Sequence, residues 1–196
     1  MHSNILEIVA VSLNLIYVIG VIDQKVWCWP AGILGSLLSI YLFIDVKLYS
    51  ESILYLFYVL FGIYGWYKWT HPDFSKKALL VTTRSITWHL GFILSGILLS
   101  VSLGFGFHHF SDANNPYEDA FSTIFSFIAT YFEAHKILST WVYWIILNAF
   151  SVYLYHIRGL EIYGTLMIVY FLLSIVGLVQ WWWSYRKSLQ PKEDIS

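Results

Sequence analysis

Seven apolar stretches separated by short polar joints run along the chain: Ile5–Ile22, Trp27–Ile44, Ser52–Trp69, Trp88–Phe107, Ala120–Phe132, Trp141–Tyr155 and Tyr163–Trp183. Each approaches the length needed to cross a bilayer as a helix. The fifth and sixth reach it only when their polar flanks are counted. The joints are brief except for His71–Ser85 and His108–Glu118. The pattern predicts an all-α integral membrane protein with seven transmembrane helices. It has a single domain over 1–187 and a flexible cytoplasmic tail over 188–196.

Sliding the chain against itself by 112 residues exposes a repeat. Between Trp29–Trp69 and Trp141–Trp181 there are 12 identities in 41 positions, where roughly 4 would arise by chance in so biased a composition. They include Trp29/Trp141, Ser39/Ser151, Tyr41/Tyr153, Tyr58/Tyr170, Gly65/Gly177 and Trp69/Trp181, and the same shift aligns Glu7 with Asp119. The expected plan is therefore 3+1+3: repeat one over 5–69, a linker helix over 86–107, and repeat two over 118–185. One intervening helix gives both copies the same orientation, a parallel repeat about an axis along the membrane normal.

Composition agrees with the pattern. Of 196 residues, 58% are hydrophobic and only 12% charged, about half the charge of an ordinary soluble domain. A net charge of −1 with no basic run gives no footprint for nucleic acid. One cysteine, Cys28, excludes an internal disulfide. The first residues lack the basic region of a signal peptide, so the first segment is read as a retained span. Lys25, Lys68, Lys76, Lys77, Arg84, Lys136, Arg186, Lys187 and Lys192 fall on one side of the predicted topology, against Lys47 and Arg158 on the other. The excess places the C-terminus in the cytoplasm and the N-terminus outside.

Polar residues inside these spans mark candidate chemistry, because a polar group in hydrocarbon needs a partner, a cavity or a ligand. Trp144, Asn148, Ser151 and Tyr155 follow spacings of four, three and four, one face of a helix. Asp119, Thr123, Ser126, Thr130 and Glu133 form a second stripe, and Glu7, Val11, Asn14 and Val18 its thinner counterpart. Two further faces match each other: Glu51, Tyr55, Tyr58, Gly62, Gly65 and Trp69, then Tyr163, Met167, Tyr170, Ser174, Gly177 and Trp181. The expected substrate-binding set is Asn148, Trp144, Trp141, Ser151, Tyr155, Thr130, Ser126, Glu133, Tyr58 and Asn14, with Pro30 and Gly32 as a soft point of the second helix. Ser and Thr in such stripes also bond back to carbonyls one turn earlier, and Trp69, Trp181 and Trp183 suit interfacial anchoring. No metal set, cofactor motif, phosphate loop or nucleophile elbow is present, so an enzyme is not expected.

The runs Trp29-Pro30-Ala31-Gly32-Ile33, Leu48-Tyr49-Ser50-Glu51 and Tyr64-Gly65-Trp66-Tyr67-Lys68-Trp69 resemble the PnuC family of vitamin transporters. So do Asp119-Ala120, Lys136, Trp141, Trp144, Asn148, Ser151, Leu154-Tyr155, Gly159-Leu160, Tyr170 and Gly177. The resemblance implies a SWEET-like, usually trimeric facilitator of the bacterial inner membrane. It takes up a non-phosphorylated vitamin, which a cytoplasmic kinase or pyrophosphokinase then traps. Thr130 stands where the riboside-type pattern carries a glutamine, Ser139-Thr140 replace Glu-Asn, and Asn148 replaces an aspartate. These departures lead to the expectation of thiamine, the PnuT branch, with nicotinamide riboside as the alternative. Other readings are a membrane enzyme acting on lipid, a non-transporting sensor or scaffold, and a SWEET-like sugar pore.

Overall fold

The computed structural model describes residues 2–45, 49–71, 78–110, 115–159 and 161–190. Among the described residues seven α-helices follow one another: α1 His2–Ile22, α2 Cys28–Asp45, α3 Tyr49–Thr70, α4 Ile86–Phe110, α5 Pro116–Ala134, α6 Thr140–Ile157 and α7 Glu161–Leu189. Six of the expected spans each lie within one of them; the second, from Trp27, begins one residue before α2, and the short fifth and sixth extend into their polar flanks. Helix α7 continues through Ser188 to Leu189, past the expected start of the tail. The rest of that tail, 191–196, lies outside the described residues, as do Leu48 and Leu160 of the family-like runs and the side chain of Glu51.

Local chemistry explains several helix ends. Ser85 accepts the Trp88 N–H at 3.3 Å and caps α4. Pro116 opens α5, where a missing N–H costs no helical bond, and Glu118 and Asp119 sit in that first turn against the positive end of the helix dipole. Arg186 and Lys187 occupy the last turn of α7. Among the described residues, α1, α2, α4 and α7 carry stretches long and apolar enough to cross a membrane by themselves. Helix α4 leaves Leu94, Leu98 and Leu99 more than half exposed, as a lipid-facing surface does.

The chain gathers into two compact units. The first contains residues 1–81, 134–136 and 179–196. Its core is aromatic: Trp29 and Trp181 are fully buried, and Trp69 nearly so. Trp29 meets Trp69 edge-on at 5.4 Å and Tyr17 at 5.7 Å. A Cβ at Gly65 would fall inside the Trp29 ring, so α2 and α3 approach this closely only through glycine. The Trp69 indole donates to the Ala134 carbonyl at 3.2 Å and the Trp181 indole to the Val21 carbonyl at 3.1 Å.

The second unit contains residues 82–133 and 137–178. Phe125, Ala129 and Leu147 form its buried centre, with Ile93, Phe121, Ile128, Tyr143 and Trp144 packed around them. Trp141 is 2% exposed and lies where a Cβ at Gly177 would stand, the counterpart of Trp29 on Gly65. Helix α4 is tied in through His89, whose ring nitrogens lie 3.4 Å from the Tyr143 hydroxyl and 3.2 Å from the Ser139 hydroxyl. The Leu138 N–H donates to the Thr82 carbonyl at 2.8 Å, joining the approach to α4 to the corner between α5 and α6.

Candidate functional site

Helices α5, α6 and α7 bring much of the expected polar set together in the second unit. Glu133, at the C-terminal end of α5, is 3% exposed and accepts the Trp144 indole N–H at 3.1 Å. Asn148, one turn further along α6, donates to the Ser174 hydroxyl at 3.0 Å, which in turn donates to the Tyr170 carbonyl at 2.8 Å. An i, i+4 step on α6 thus places an amide beside an indole whose nitrogen is held by a buried carboxylate. The Asn148 carboxamide oxygen keeps acceptor capacity that this chain of bonds does not use.

Other members of the set serve packing. Thr130 donates to the Ser126 carbonyl at 2.8 Å, the back-bond that competes with ligand contact for a helical threonine. Trp141 is enclosed against Gly177 rather than offering a free ring face. Ser151 and Tyr155 are half-buried on α6, with the Tyr155 ring 5.7 Å from Tyr163. Asp119, part-exposed, pairs with Arg158 at 2.8 Å.

In the first unit, Asn14 is half-buried on α1, with its side-chain oxygen 2.6 Å from the place a Cβ at Gly35 would take. Tyr58 is half-buried on α3 and meets Tyr55 edge-on at 5.6 Å. Gly32 lies under the Tyr17 ring. Pro30, expected as a soft point, stands in the first turn of α2. Its ring there fits the helical φ and interrupts no bond to a preceding carbonyl. Glu7 is exposed. A surface hollow of about 460 Å³ at the end of α7, lined by Trp183, Ser184, Arg186, Lys187 and Gln190, contains none of the expected residues.

Two partners escaped the sequence reading of the site. Ser174 was visible on the α7 face but had no signal linking it to Asn148. Thr140 is fully buried and donates to the Ala129 carbonyl at 2.8 Å, which ties the start of α6 to α5.

A family model described as nicotinamide mononucleotide transporter matches residues 4–183. The chain belongs to that family. The riboflavin/roseoflavin transporter RibM of Streptomyces davaonensis is 22% identical over 97% of this chain and 87% of its own length. The nicotinamide riboside transporter PnuC of Escherichia coli K12 is 21% identical over 81% of this chain and 77% of its own length. The crystal structure of the vitamin B3 transporter PnuC superposes with a TM-score of 0.74 at 18% identity, covering 93% of this chain and 82% of that one. These relatives are transporters and not enzymes, and the family is one of multi-pass membrane proteins.

Proposed function

We propose that this chain is a facilitator for nicotinamide riboside, working by alternating access of two parallel triplets in a 3+1+3 plan. The observation that carries the substrate is the buried Glu133 carboxylate beside the Trp144 indole and Asn148 amide. A pyridinium ring gains from a nearby anion and from the face of an indole, the latter worth up to about 2 kcal/mol when desolvated. A carboxamide is read by an amide such as Asn148, which both donates and accepts. No ion coupling is required, because a membrane potential favours cation entry by about 2.3 kcal/mol per charge per 100 mV. Phosphorylation by a cytoplasmic kinase would hold the product inside. The inner membrane, an outward N-terminus and a homotrimer complete the reading; the second rests on the charge asymmetry and the other two on the family resemblance.

The thiamine expectation is set aside. The relatives are named for nicotinamide riboside and riboflavin, and the argument for thiamine leaned on Thr130, whose hydroxyl is engaged by the Ser126 carbonyl. Riboflavin is the second reading, because RibM aligns over nearly the whole chain. Charge separates the two: the riboside is a cation and the flavin is neutral.

The test is intrinsic tryptophan fluorescence of the purified protein, titrated with nicotinamide riboside, riboflavin and thiamine, for wild type and Glu133→Gln. Quenching by the riboside alone is expected, with affinity about tenfold weaker in Glu133→Gln. Quenching by riboflavin alone, unchanged in the variant, would transfer the assignment to the flavin.

A further inference from the structure

Helix α7 is longer than the layer it crosses. Its apolar stretch runs over 27 residues, Tyr163–Leu189, about 40 Å at about 1.5 Å per residue, against about 30 Å for the hydrocarbon core of a bilayer. About twenty residues counted from Tyr163 cover that core and end at Trp182. The turns after it therefore stand at the level of the lipid headgroups.

The side chains in those turns are sorted around the helix. Trp183, Arg186 and Lys187 are spaced as one helical face, and Gln190, whose N–H still donates to the Lys187 carbonyl, continues it. Trp181, fully buried, marks the packed face. At about 100° per residue, the face holding Trp183, Arg186 and Lys187 points the opposite way, and Trp183 is 69% exposed. With Ser184 at their edge, these residues line the hollow of about 460 Å³ at the end of α7.

Each of the five can donate a hydrogen bond and none carries a negative charge: an indole N–H, a hydroxyl, a guanidinium, an ammonium and a carboxamide. The Arg186 guanidinium lies 5.7 Å from the centre of the Trp182 ring, which steadies the side chain and leaves its N–H edge for an acceptor. Among the described residues the ion pairs are His156–Glu161 and Arg158–Asp119, so no carboxylate there neutralises Arg186 or Lys187. The negative end of the helix dipole accounts for cations in a last turn. It does not account for a tryptophan, a serine and a glutamine gathered with them around one hollow.

We propose that this hollow holds the headgroup of one acidic phospholipid of the surrounding bilayer. Arg186 and Lys187 donate to the phosphodiester, a planar fork beside a point charge. Ser184 and Gln190 meet the polar part of the headgroup. Trp183 lies at the boundary between headgroup and acyl chain, where an indole is favoured. The site is separate from the substrate set and does not depend on which vitamin is carried.

The experiment is native mass spectrometry of the full chain, released from detergent micelles holding phosphatidylglycerol and phosphatidylcholine in equal amounts. Wild type is expected to retain one phosphatidylglycerol, with a preference of about tenfold over phosphatidylcholine. Arg186→Gln should lower that preference about fivefold. The double variant Lys187→Gln with Leu189→Lys keeps the net charge but carries it off this face, and should lose as much. All three positions are exposed, so the fold is expected to survive. A full preference in the relocated variant assigns retention to general surface charge and overturns the site. So does a wild type without preference, or one whose melting temperature added phosphatidylglycerol does not raise. Displacement of the lipid by millimolar glycerol phosphate would give the hollow to a soluble phosphate ester and overturn the lipid assignment.

Discussion

The region around Trp29 and the region around Trp141, its counterpart 112 residues on, share one packing contact and differ in what surrounds it. Trp29 on Gly65 and Trp141 on Gly177 are the same close contact made twice. Around it the first copy has Val21, Gly32, Ser36 and Gly62, where the second has Glu133, Trp144, Asn148 and Ser174. A size exchange accompanies this change. In the first copy Tyr17 on α1 covers Gly32 on α2; in the second, Trp144 on α6 packs with the cluster containing Ala129 on α5. The large ring stands on the first of the two helices in one region and on the second in the other. In its new place its N–H reaches Glu133. Packing constrains both regions equally, whereas the proposed binding face draws its polar groups from only one.

The shared skeleton predicts the largest effects. Gly65→Phe and Gly177→Phe each drive a ring into a tryptophan held by its surroundings. Both should abolish monodisperse protein in size-exclusion chromatography, and a tolerant member of the pair would break the equivalence. The size exchange predicts a cavity for Trp144→Gly, costing about 3–5 kcal/mol and read as a large drop in melting temperature. Adding Ala129→Tyr should recover part of that loss without restoring riboside binding, since the indole nitrogen is gone.

Smaller effects concern the polar set. Asn148→Leu removes the bond to Ser174, whose hydroxyl still has the Tyr170 carbonyl. The fold should survive, while substrate binding measured by fluorescence is lost. Retained binding in a folded variant would remove Asn148 from the site. The same change in the first copy, Ser36→Leu, should leave binding within about threefold.

The smallest effect is at Lys136. Burial pushes the Lys136 amine down to about 8, against a weaker opposing influence of Cys28. Its folded value lies below its unfolded one, so the unfolded chain binds more protons between about 8 and the ordinary lysine value. Stability should therefore rise with pH across that window and show no contribution from this group's titration below it. Lys136→Met lacks the group, so the melting temperature of wild type should rise relative to that of the variant from pH 7 to pH 10. A constant gap would contradict the burial argument.

The number of helices and, to within a few residues, their spans were legible in the chain, because apolar runs are local. Helical periodicity also placed Trp144 and Asn148 on one face. It could not say that Thr130 and Trp141 are taken up by packing while Glu133 and Ser174 complete the polar set, since those partners come from other helices. Nor could spacing show that Pro30 stands in a first turn, where it bends nothing. Lys136 entered the reading only as a charge on one side of the topology. Its meeting with Gln24 joins side chains 112 residues apart in the chain. A pattern along one strand of sequence determines which surfaces are apolar and which recur; which polar atoms find each other depends on distances across helices, and those exist only once the chain has packed.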